Sequence, residues 1–425
     1  MREDFLHFIW KYRKFQLTGL VTSENEVVTI LDVGSHNHLA GPDFFNAKID
    51  IDGQLWAGTV EIHIKSSDWY AHNHERDSNY NNVILHVVWE DDATVFRSDK
   101  TEIPTLELKN YISKNLLEAV QKLFDKKGVH FINCEKDIAE IDGFVFQNWL
   151  ERLYFERLEQ KSVLIDELLE KSQNDWEKVV FTLLLKNFGS KINSESFLSL
   201  SRTLDFSVIR KTQNHVLQLE SLLFGLLGLL ENDSSDQYLI SLKREYDYLK
   251  HKFNLSSKGV RRPDFFKLRP SNFPTIRLSQ FANLYGVHQN VFSKIIEAST
   301  SKEIYAIFEI SASTYWSNHF TFGKESKKSI KKLTKNFVDL IIINTILPIK
   351  FSYAKHLGRD ISEELIRMIS MTNKEKNTVI SSFEKIGARA LNAKDSQAFI
   401  QLYTQYCTKN KCLQCTVGSS LLQRN

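Results

Sequence analysis

Three side chains that could act together in hydrolysis occupy alternate positions of one short segment: Glu61, His63 and Lys65 in "TVEIHIKSS". In a β-strand, alternate side chains project from the same face. Asp43 begins the preceding apolar run, and Asp52-Gly53 between the runs predicts a hairpin that brings Asp43 towards Glu61. Two carboxylates suit Mg²⁺ or Mn²⁺, while an amine or imidazole can orient water or stabilise a developing charge. We therefore predict a metal site on Asp43 and Glu61, with Lys65 and His63 as catalytic groups.

Histidines are concentrated in the same part of the chain. Seven of the 13 lie in the first 90 residues, namely His7, His36, His38, His63, His72, His74 and His86. The segment "AHNHERD" follows the strand closely, so we add His72, His74 and Asp77 to the predicted metal ligands. Imidazole suits Mn, Fe or Zn better than Mg, which indicates a metal softer than magnesium. Turn caps and hydrogen bonds to buried carbonyls are the alternative roles of these histidines.

The chain changes character along its length. Up to about residue 110, the runs "EVVTILDVG", "FFNAKIDI", "LWAGTVEIHI" and "NVILHVVWED" predict strands, and "EDFLHFIWKYRKF" before them has helical spacing. From about residue 140, amphipathic helices such as "GFVFQNWLERLYFERLEQKSVLIDELLEK" dominate. We predict an α+β protein: residues 1–125 form a mixed sheet with flanking helices, and residues 126–425 form a mainly helical domain.

The order helix, strand, hairpin, helix, strand, with Pro42-Asp43 on one hairpin strand and Glu61-x-His63 on the other, resembles the core of the PD-(D/E)XK nuclease superfamily. The resemblance implies a restriction-endonuclease-like fold, metal ligation by Asp43 and Glu61, and hydrolysis of phosphodiester bonds in DNA or RNA. The chain departs from the pattern at His63, which stands where the superfamily has lysine, and Lys65 on the same face would take that role. Because of this departure, a non-catalytic nucleic-acid-binding or scaffold protein on the same fold is the alternative.

Two further resemblances concern longer and shorter stretches. Nearly the whole chain resembles a domain-of-unknown-function family of Bacteroidota, a resemblance that implies no activity. It is carried by four segments: "GPDFFNAKI", "GTVEIHIKSSDWYAHNHERDSNYNNVILHVVW", "RPSNFPTIRL" and "YCTKNKCLQC". His72, His74, Glu75 and His86 loosely resemble the metal box of cupins. A cupin needs many short strands, whereas this chain turns helical after about residue 110, so we disfavour that fold.

The cysteines form a second candidate metal site. The chain has four: Cys407, Cys412 and Cys415 near the C-terminus, and Cys134 near the predicted domain junction. Closely spaced thiols in a cytoplasmic chain indicate metal ligands, although ordinary thiols are the alternative. Four thiolates suit Zn²⁺, and the spacing also permits an iron–sulfur cluster. Some PD-(D/E)XK nucleases likewise combine one distant cysteine with three near the C-terminus, which implies a structural role.

The charge of the chain limits how it could bind nucleic acid. A net charge of +3 over 425 residues gives no whole-chain basic field, so nucleic-acid binding needs a local patch. The segment "RRPDFFKLRPSNFPTIRLSQ" combines phenylalanines with Arg261, Arg262, Arg269 and Arg277, as in proteins that hold single strands. A loop anchored by its prolines and phenylalanines is the alternative.

The N-terminus lacks a signal-peptide pattern and no apolar run reaches the ~20 residues that cross a bilayer, so we expect a cytoplasmic protein without a membrane segment.

Overall fold

The computed structural model describes residues 2–37, 39–124, 130–231 and 235–423. The chain divides into two compact units. The first comprises Met1–Trp149, Ile386–Ala388 and Leu402–Asn425, and the second comprises Leu150–Lys385 and Arg389–Gln401. The C-terminal segment, which the sequence analysis assigned to the helical domain, therefore belongs to the first unit. The predicted boundary between residues 125 and 126 lies outside the described residues, as does His38.

Seven strands in the described part of the first unit form one mixed sheet. They are β1 (Leu20–Val21), β2 (Val27–Asp32), β3 (Ser35–His36), β4 (Phe44–Ile51), β5 (Gln54–Lys65), β6 (Val83–Glu90) and β7 (Thr105–Glu107). The strand order is β1-β2-β4-β5-β6-β7, and β3 pairs with β4. The pairs β1–β2, β2–β4, β3–β4 and β4–β5 are antiparallel, whereas β5–β6 and β6–β7 are parallel. The predicted mixed N-terminal sheet is confirmed.

The hairpin between β4 and β5 turns at the predicted dipeptide. Ile51 pairs with Gln54 across the turn, and Asp52 (φ 51°) and Gly53 (φ 82°) both have positive φ. Two central residues with positive φ are what a type I′ turn requires, and its twist matches that of the strands. At the open end of the hairpin, Phe44 pairs with Val60. The residues next to this pair, Asp43 and Glu61, are thereby brought together.

Helices flank this sheet. They are α1 (Glu3–Lys11), α2 (Asp68–Ala71), α3 (Lys114–Phe124) and α18 (Thr416–Gln423). Phe5, Phe8 and Ile9 of α1 share one buried apolar core with Val60 and Ile62 of β5. Because alternate residues of β5 enter this core, the intervening residues of the strand face the other way. Helix α2 and two 3₁₀ turns, His74–Arg76 and Ser78–Tyr80, connect β5 to β6.

Beyond residue 142 the described chain is mainly helical, as predicted. Its further helices are α4 (Gly143–Lys171), α5 (Trp176–Phe188), α6 (Ser190–Thr203), α7 (Phe206–Thr212), α8 (Val216–Leu226), α9 (Gln237–Phe253), α10 (Pro274–Val287), α11 (Val291–Glu297), α12 (Ser301–Ile307), α13 (Lys335–Ile341), α14 (Leu347–His356), α15 (Ser362–Ser370), α16 (Thr378–Lys385) and α17 (Ala393–Gln401). A short hairpin, β8 (His319–Thr321) and β9 (Lys324–Glu325), interrupts them.

One helical segment is longer than its apolar run suggested. Helices α13 and α14 join through a π-helical turn, Ile342–Ile346, into the 22-residue stretch Lys335–His356. By length and composition alone this stretch could cross a membrane, but 78% of its apolar window is buried inside the protein. Ile342, Ile346 and Leu347 are fully buried in the core of the second unit. Packing among neighbouring helices therefore accounts for its apolar composition.

Candidate functional site

Two carboxylates lie side by side at the open end of the β4–β5 hairpin. The backbone N–H of Asp43 donates to Oε2 of Glu61 at 3.1 Å, and the backbone N–H of Ile62 donates to Oδ2 of Asp43 at 3.0 Å. The Glu61 side chain is only 6% exposed. The reciprocal hydrogen bonds fix both carboxylates relative to the strands, so the proximity expected from the hairpin is present in the structure.

Two histidines lie against the other oxygen of Glu61, and a third lies against one of these two. Its Oε1 lies 3.5 Å from Nε2 of His63 and 3.3 Å from Nε2 of His74. Nε2 of His63 lies 3.1 Å from Nδ1 of His72. The potential ligand atoms of the three histidines all lie within 4.8 Å of one another. His63 is buried, whereas His72 is exposed, so the cluster opens to solvent on the side of His72.

Helix α1 adds two groups that the sequence analysis did not assign to the site. Nε2 of His7 lies 3.2 Å from Oδ2 of Asp43 and 4.0 Å from Oε1 of Glu3. Glu3 and His7 are four residues apart and therefore share one face of the helix. That spacing was the signal in the sequence, but it indicates a site only once α1 is known to lie beside Asp43. We call the seven residues Glu3, His7, Asp43, Glu61, His63, His72 and His74 the histidine–carboxylate centre.

The electrostatics of the centre favour a bound cation. Burial, together with the charge of Asp43, raises the pKa of Glu61 to about 9. Burial and the neighbouring imidazoles lower the pKa of His63 to about 2. Among the described residues, the ion-pair partners of Asp43 and Glu61 are histidines, with no lysine or arginine. Burial lowers the pKa of His7, but the hydrogen bond to Asp43 and the neighbouring carboxylates together outweigh burial and raise that pKa, so His7 is a basic partner of Asp43. Glu61, in contrast, is buried next to the neutral imidazole of His63, an arrangement that is typical of metal sites.

A second layer of aromatic groups orients the histidines. Nδ1 of His63 lies 2.8 Å from Nε2 of His86, which is itself fully buried. The ring of His74 stacks on Tyr80 with 3.7 Å between centroids, and Trp69 packs edge-on against His74. Partners that fix the ring and the tautomer of a histidine are a regular part of metal sites. His86 therefore acts as a support for His63.

Two predicted members of the site have other partners. Lys65 lies at the solvent end of β5 with its side chain 49% exposed, and its Nζ is 3.6 Å from Oδ2 of Asp92. The side chain of Asp77 caps the 3₁₀ turn Ser78–Tyr80 by accepting the N–H of Asn79 at 2.9 Å. Lys65 is on the expected face of β5, but it lies at the end of the strand, beyond the residues that are buried. The structure thus does not bring Lys65 or Asp77 among the ligand atoms of the centre.

All four cysteines line one small cavity of about 20 Å³ in the first unit. Cys407 ends a π-helical turn, Leu402–Cys407, and Cys412 begins a 3₁₀ turn, Cys412–Gln414. Burial, followed by the proximity of Cys415 and Cys412, raises the pKa of Cys134. Burial also raises the pKa of Cys415 to about 11, against the opposing effect of the backbone N–H groups of Gly418 and Val417. Cys134, Cys407, Cys412 and Cys415, which we call the four-cysteine site, therefore line the same cavity, although among the described residues the only group with three potential ligand atoms within 4.8 Å of one another is His63, His72 and His74.

The packing around the four-cysteine site is tight. Nδ2 of Asn133 donates to Sγ of Cys412 at 3.3 Å. Gly418 on α18 lies so close to Cys412 that an added Cβ would stand 2.1 Å from the Cys412 carbonyl oxygen. Only glycine allows this approach of helix and turn. N–H donors to sulfur and close backbone packing both suit a site that holds thiolates around a metal.

The arginine-rich segment of the second unit is only partly available to a ligand. Arg277 is 6% exposed, donates to Gln280 at 2.9 Å and to Asn272 at 2.7 Å, and lies 3.6 Å from the ring centroid of Phe337. It is a core residue with protein partners, so the structure does not present it to a phosphate. The other three predicted residues are exposed: Arg261, Arg262 and Arg269. Of these, Arg262 forms an ion pair with Glu231 at 3.1 Å.

The fold and the site together define an α+β protein with a histidine–carboxylate centre, buried at Glu61 and His63 and open at His72, and a separate four-cysteine site. A family model described as a protein of unknown function (DUF2851) matches residues 3–378, and the chain belongs to this family. The prediction of such a family over nearly the whole chain is thereby confirmed. Neither the curated proteins nor the solved structures include a match to this chain.

Proposed function

We propose that this protein is a metal-dependent nuclease that hydrolyses phosphodiester bonds of DNA or RNA. The observation that carries the proposal is the convergence of Asp43 and Glu61 with histidines at the open end of one hairpin. Neighbouring ligand atoms of one cation lie roughly 3 Å apart when each is about 2.1 Å from the ion. The distances from His63 to His72, from Glu61 to His63 and His74, and from His7 to Asp43 are 3.1 to 3.5 Å and agree with that spacing, whereas His7 lies 4.0 Å from Glu3.

Asp43 and Glu61 would hold Mg²⁺ or Mn²⁺. When bound, such an ion stabilises the negative charge that develops on the phosphate and lowers the pKa of water. The chain itself holds the two carboxylates in place through the N–H groups of Asp43 and Ile62. His7, 3.2 Å from Asp43, fixes the orientation of that carboxylate from the side of α1.

His63 has a different role from the lysine whose position it takes. Its low pKa keeps the imidazole neutral at physiological pH, so it does not contribute a positive charge. Lys65 is held by Asp92 at the solvent end of the strand. The positive charge that the transition state needs must therefore come from bound cations. His63, supported by His86, would instead act as a neutral ligand or hydrogen-bonding group.

The strand order supports a restriction-endonuclease-like fold as part of this proposal. Strands β2, β4 and β5 form an antiparallel meander, β6 adds to β5 in parallel after a helical connection, and α1 packs against the core face of β5. This is the order that the resemblance to the PD-(D/E)XK superfamily implies. Glu61 lies on the second hairpin strand and Asp43 directly precedes the first, close to the positions that this resemblance implies.

Nucleic acid as the partner is supported by a smaller set of residues. Arg261, Arg262 and Arg269 are exposed in the second unit, close in sequence to the exposed ring of Phe266. Arginines next to aromatic rings contact phosphates and bases of single strands. We keep these three arginines as proposed contacts and omit Arg277. A cytoplasmic location, where such substrates occur, stays part of the proposal.

We further propose that the four-cysteine site holds a structural metal, either Zn²⁺ or an iron–sulfur cluster. Its four sulfur ligands and closed surroundings fit a structural rather than a catalytic role, because catalytic metal sites keep an open position. The site would fix residues 402–423 to the loop that carries Cys134.

Cleavage of labelled DNA and RNA, single- and double-stranded, tests the proposed function. We expect chelator-treated protein to be inactive and to regain cleavage with Mn²⁺ or Mg²⁺. Asp43→Asn should lose this activity, whereas Glu90→Gln, which alters an exposed carboxylate on β6, should retain it. Binding of nucleic acid by the native protein without cleavage under any metal would contradict the proposal and favour the scaffold alternative.

A further inference from the structure

We infer that the histidine–carboxylate centre binds two cations that share Glu61, and that the second is a transition-metal ion of the Zn²⁺ class held by His63, His72 and His74. This inference rests on the proposed function in two respects: the ion on Asp43, and the role of the two ions in hydrolysis. The presence of the histidine-bound ion is independent of any cleavage.

The first argument is the spacing of the four ligand atoms. In a tetrahedral site with bonds of about 2.1 Å, neighbouring ligand atoms lie about 3.4 Å apart. Nε2 of His63 is 3.1 Å from Nδ1 of His72, and Oε1 of Glu61 is 3.5 Å from His63 and 3.3 Å from His74. These three separations match neighbouring ligands of a four-coordinate zinc site, and the ligand atoms of the three histidines all lie within 4.8 Å of one another.

The second argument concerns the protons of His63. Its Nδ1 lies 2.8 Å from Nε2 of the buried His86, so one of these two nitrogens donates a hydrogen bond to the other. When His63 is the donor, its Nε2 carries a lone pair that points towards His72 and Glu61. A neutral imidazole with one nitrogen hydrogen-bonded and the other unprotonated is the form that binds metals.

The third argument separates the two ions. Oε1 of Glu61 faces the histidines, whereas Oε2 faces Asp43. The three histidines and Oε1 already complete a four-coordinate shell, which leaves Asp43, His7 and Glu3 for a second cation. Two-metal hydrolytic sites place their ions about 3.5–4 Å apart, a distance that one bridging carboxylate can span.

The chemistry of the two ligand sets also differs. The histidine side offers nitrogen ligands, which favour zinc, iron or manganese, while the side of Asp43 and Glu3 offers mainly oxygen, which favours Mg²⁺ or Mn²⁺. His72 is exposed, so the histidine side is the one that a phosphate group or a water molecule reaches from solvent. Both ions could then support the phosphate group, whereas an activated water needs an open coordination position, which the four protein ligands of the histidine side do not leave and the side of Asp43 does.

Zinc content per chain tests the inference. Native protein, His72→Ala, His74→Ala and the control His251→Ala, an exposed histidine on α9, are dialysed against Zn²⁺ and analysed for bound metal. We expect the two site variants to hold one zinc fewer per chain than the native protein and the control. Zinc at the four-cysteine site contributes equally to all four proteins and cancels in the comparison. Equal zinc content in all four proteins would overturn the inference.

A second measurement covers the case in which a variant does not fold. Crystals of the native protein soaked in Zn²⁺ should show an anomalous-scattering peak between the ring nitrogens of His63, His72 and His74. A map without a peak there would overturn the inference. If the peak is present and no nucleic acid is cleaved, the metal site stands and the proposed nuclease function fails. If cleavage depends on Asp43 and the peak is absent, the proposed nuclease function stands and the histidine-bound ion is ruled out.

Discussion

The two clusters of potential metal ligands in the first unit are built in opposite ways. The histidine–carboxylate centre draws most of its groups from one hairpin and the connection that follows it, and it opens to solvent at His72. The four-cysteine site joins Cys134 to three residues near the C-terminus around a cavity of about 20 Å³. An open site can admit a substrate, whereas a closed site mainly fixes distant segments of the chain. The contrast separates a centre suited to chemistry from a site suited to stability.

The clearest way to sharpen this contrast is to remove one ligand of the closed site. Cys134→Ser should lower the free energy of unfolding on the order of 5 kcal/mol, because structural zinc contributes about 10–16 kcal/mol of binding free energy to folding. Chemical denaturation with and without a strong chelator measures the effect. The chelator should destabilise the native protein strongly and the variant little. A variant as stable and as chelator-sensitive as the native protein would show that the cysteines bind no metal.

A second change tests the close packing at the same site. Gly418→Ala would place a Cβ 2.1 Å from the carbonyl oxygen of Cys412, so helix α18 or the turn must move. We expect a loss of about 1–3 kcal/mol in the free energy of unfolding, as for other overpacked sites. Gly143→Ala is the matched control, because nothing lies within 4 Å of an added Cβ there. Equal stability of the two variants would argue against this packing.

The pH dependence of stability tests the open centre. In the metal-free protein, burial raises the pKa of Glu61 from 4.5 to about 9, so its contribution is complete below 4.5 and is lost as the pH rises towards about 9. The lowered pKa of His63 changes stability only below the ordinary pKa of histidine, 6.5, and so does not contribute between about pH 7 and pH 9. Between about pH 7 and pH 9, the native protein should therefore lose up to about 1.4 kcal/mol per pH unit.

Thermal or chemical unfolding of chelator-treated protein across that range measures this slope. Glu61→Gln removes the titrating group and should flatten the curve, while Glu90→Gln should leave the slope unchanged. Saturating Zn²⁺ should also flatten it, because a bound cation favours the ionised carboxylate at all these pH values. A slope that is the same in native protein and Glu61→Gln would contradict the burial of a protonated Glu61.

The smallest effect is expected at Lys65. Its ion pair with Asp92 is half exposed, and exposed pairs contribute about 0–1 kcal/mol. Lys65→Ala should therefore lower the free energy of unfolding by less than about 1 kcal/mol. The rate constant of cleavage should likewise change by less than about tenfold. Unfolding and cleavage assays on the same preparation check this. A loss of cleavage as large as that of Asp43→Asn would return Lys65 to the catalytic role that the sequence suggested.

The sequence was informative where local rules decide the structure. The dipeptide Asp52-Gly53 specified the hairpin because few residues accept positive φ at both central positions. From the hairpin, the proximity of Asp43 and Glu61 followed directly. The alternation along β5 likewise predicted that Val60 and Ile62 enter the core.

Non-local packing decided the parts that the sequence did not show. Glu3 and His7 join the centre only because α1 packs beside the hairpin, and no local pattern determines that placement. Arg277 looked like its exposed neighbours but is buried by Asn272, Gln280 and Phe337. Lys65 has the right alternation but lies past the buried part of the strand, where Asp92 is available.

Cleavage by Glu61→Gln is the measurement that tests the account most directly, since Glu61 is the residue that links the carboxylates and the histidines. Native protein, Glu61→Gln and Glu90→Gln are compared on labelled DNA and RNA with Mn²⁺ and Zn²⁺ present. We predict that Glu61→Gln loses cleavage by at least about 100-fold, the usual cost of removing a group that holds a catalytic metal, and that Glu90→Gln cleaves as the native protein does. Cleavage by Glu61→Gln at the native rate would contradict the account.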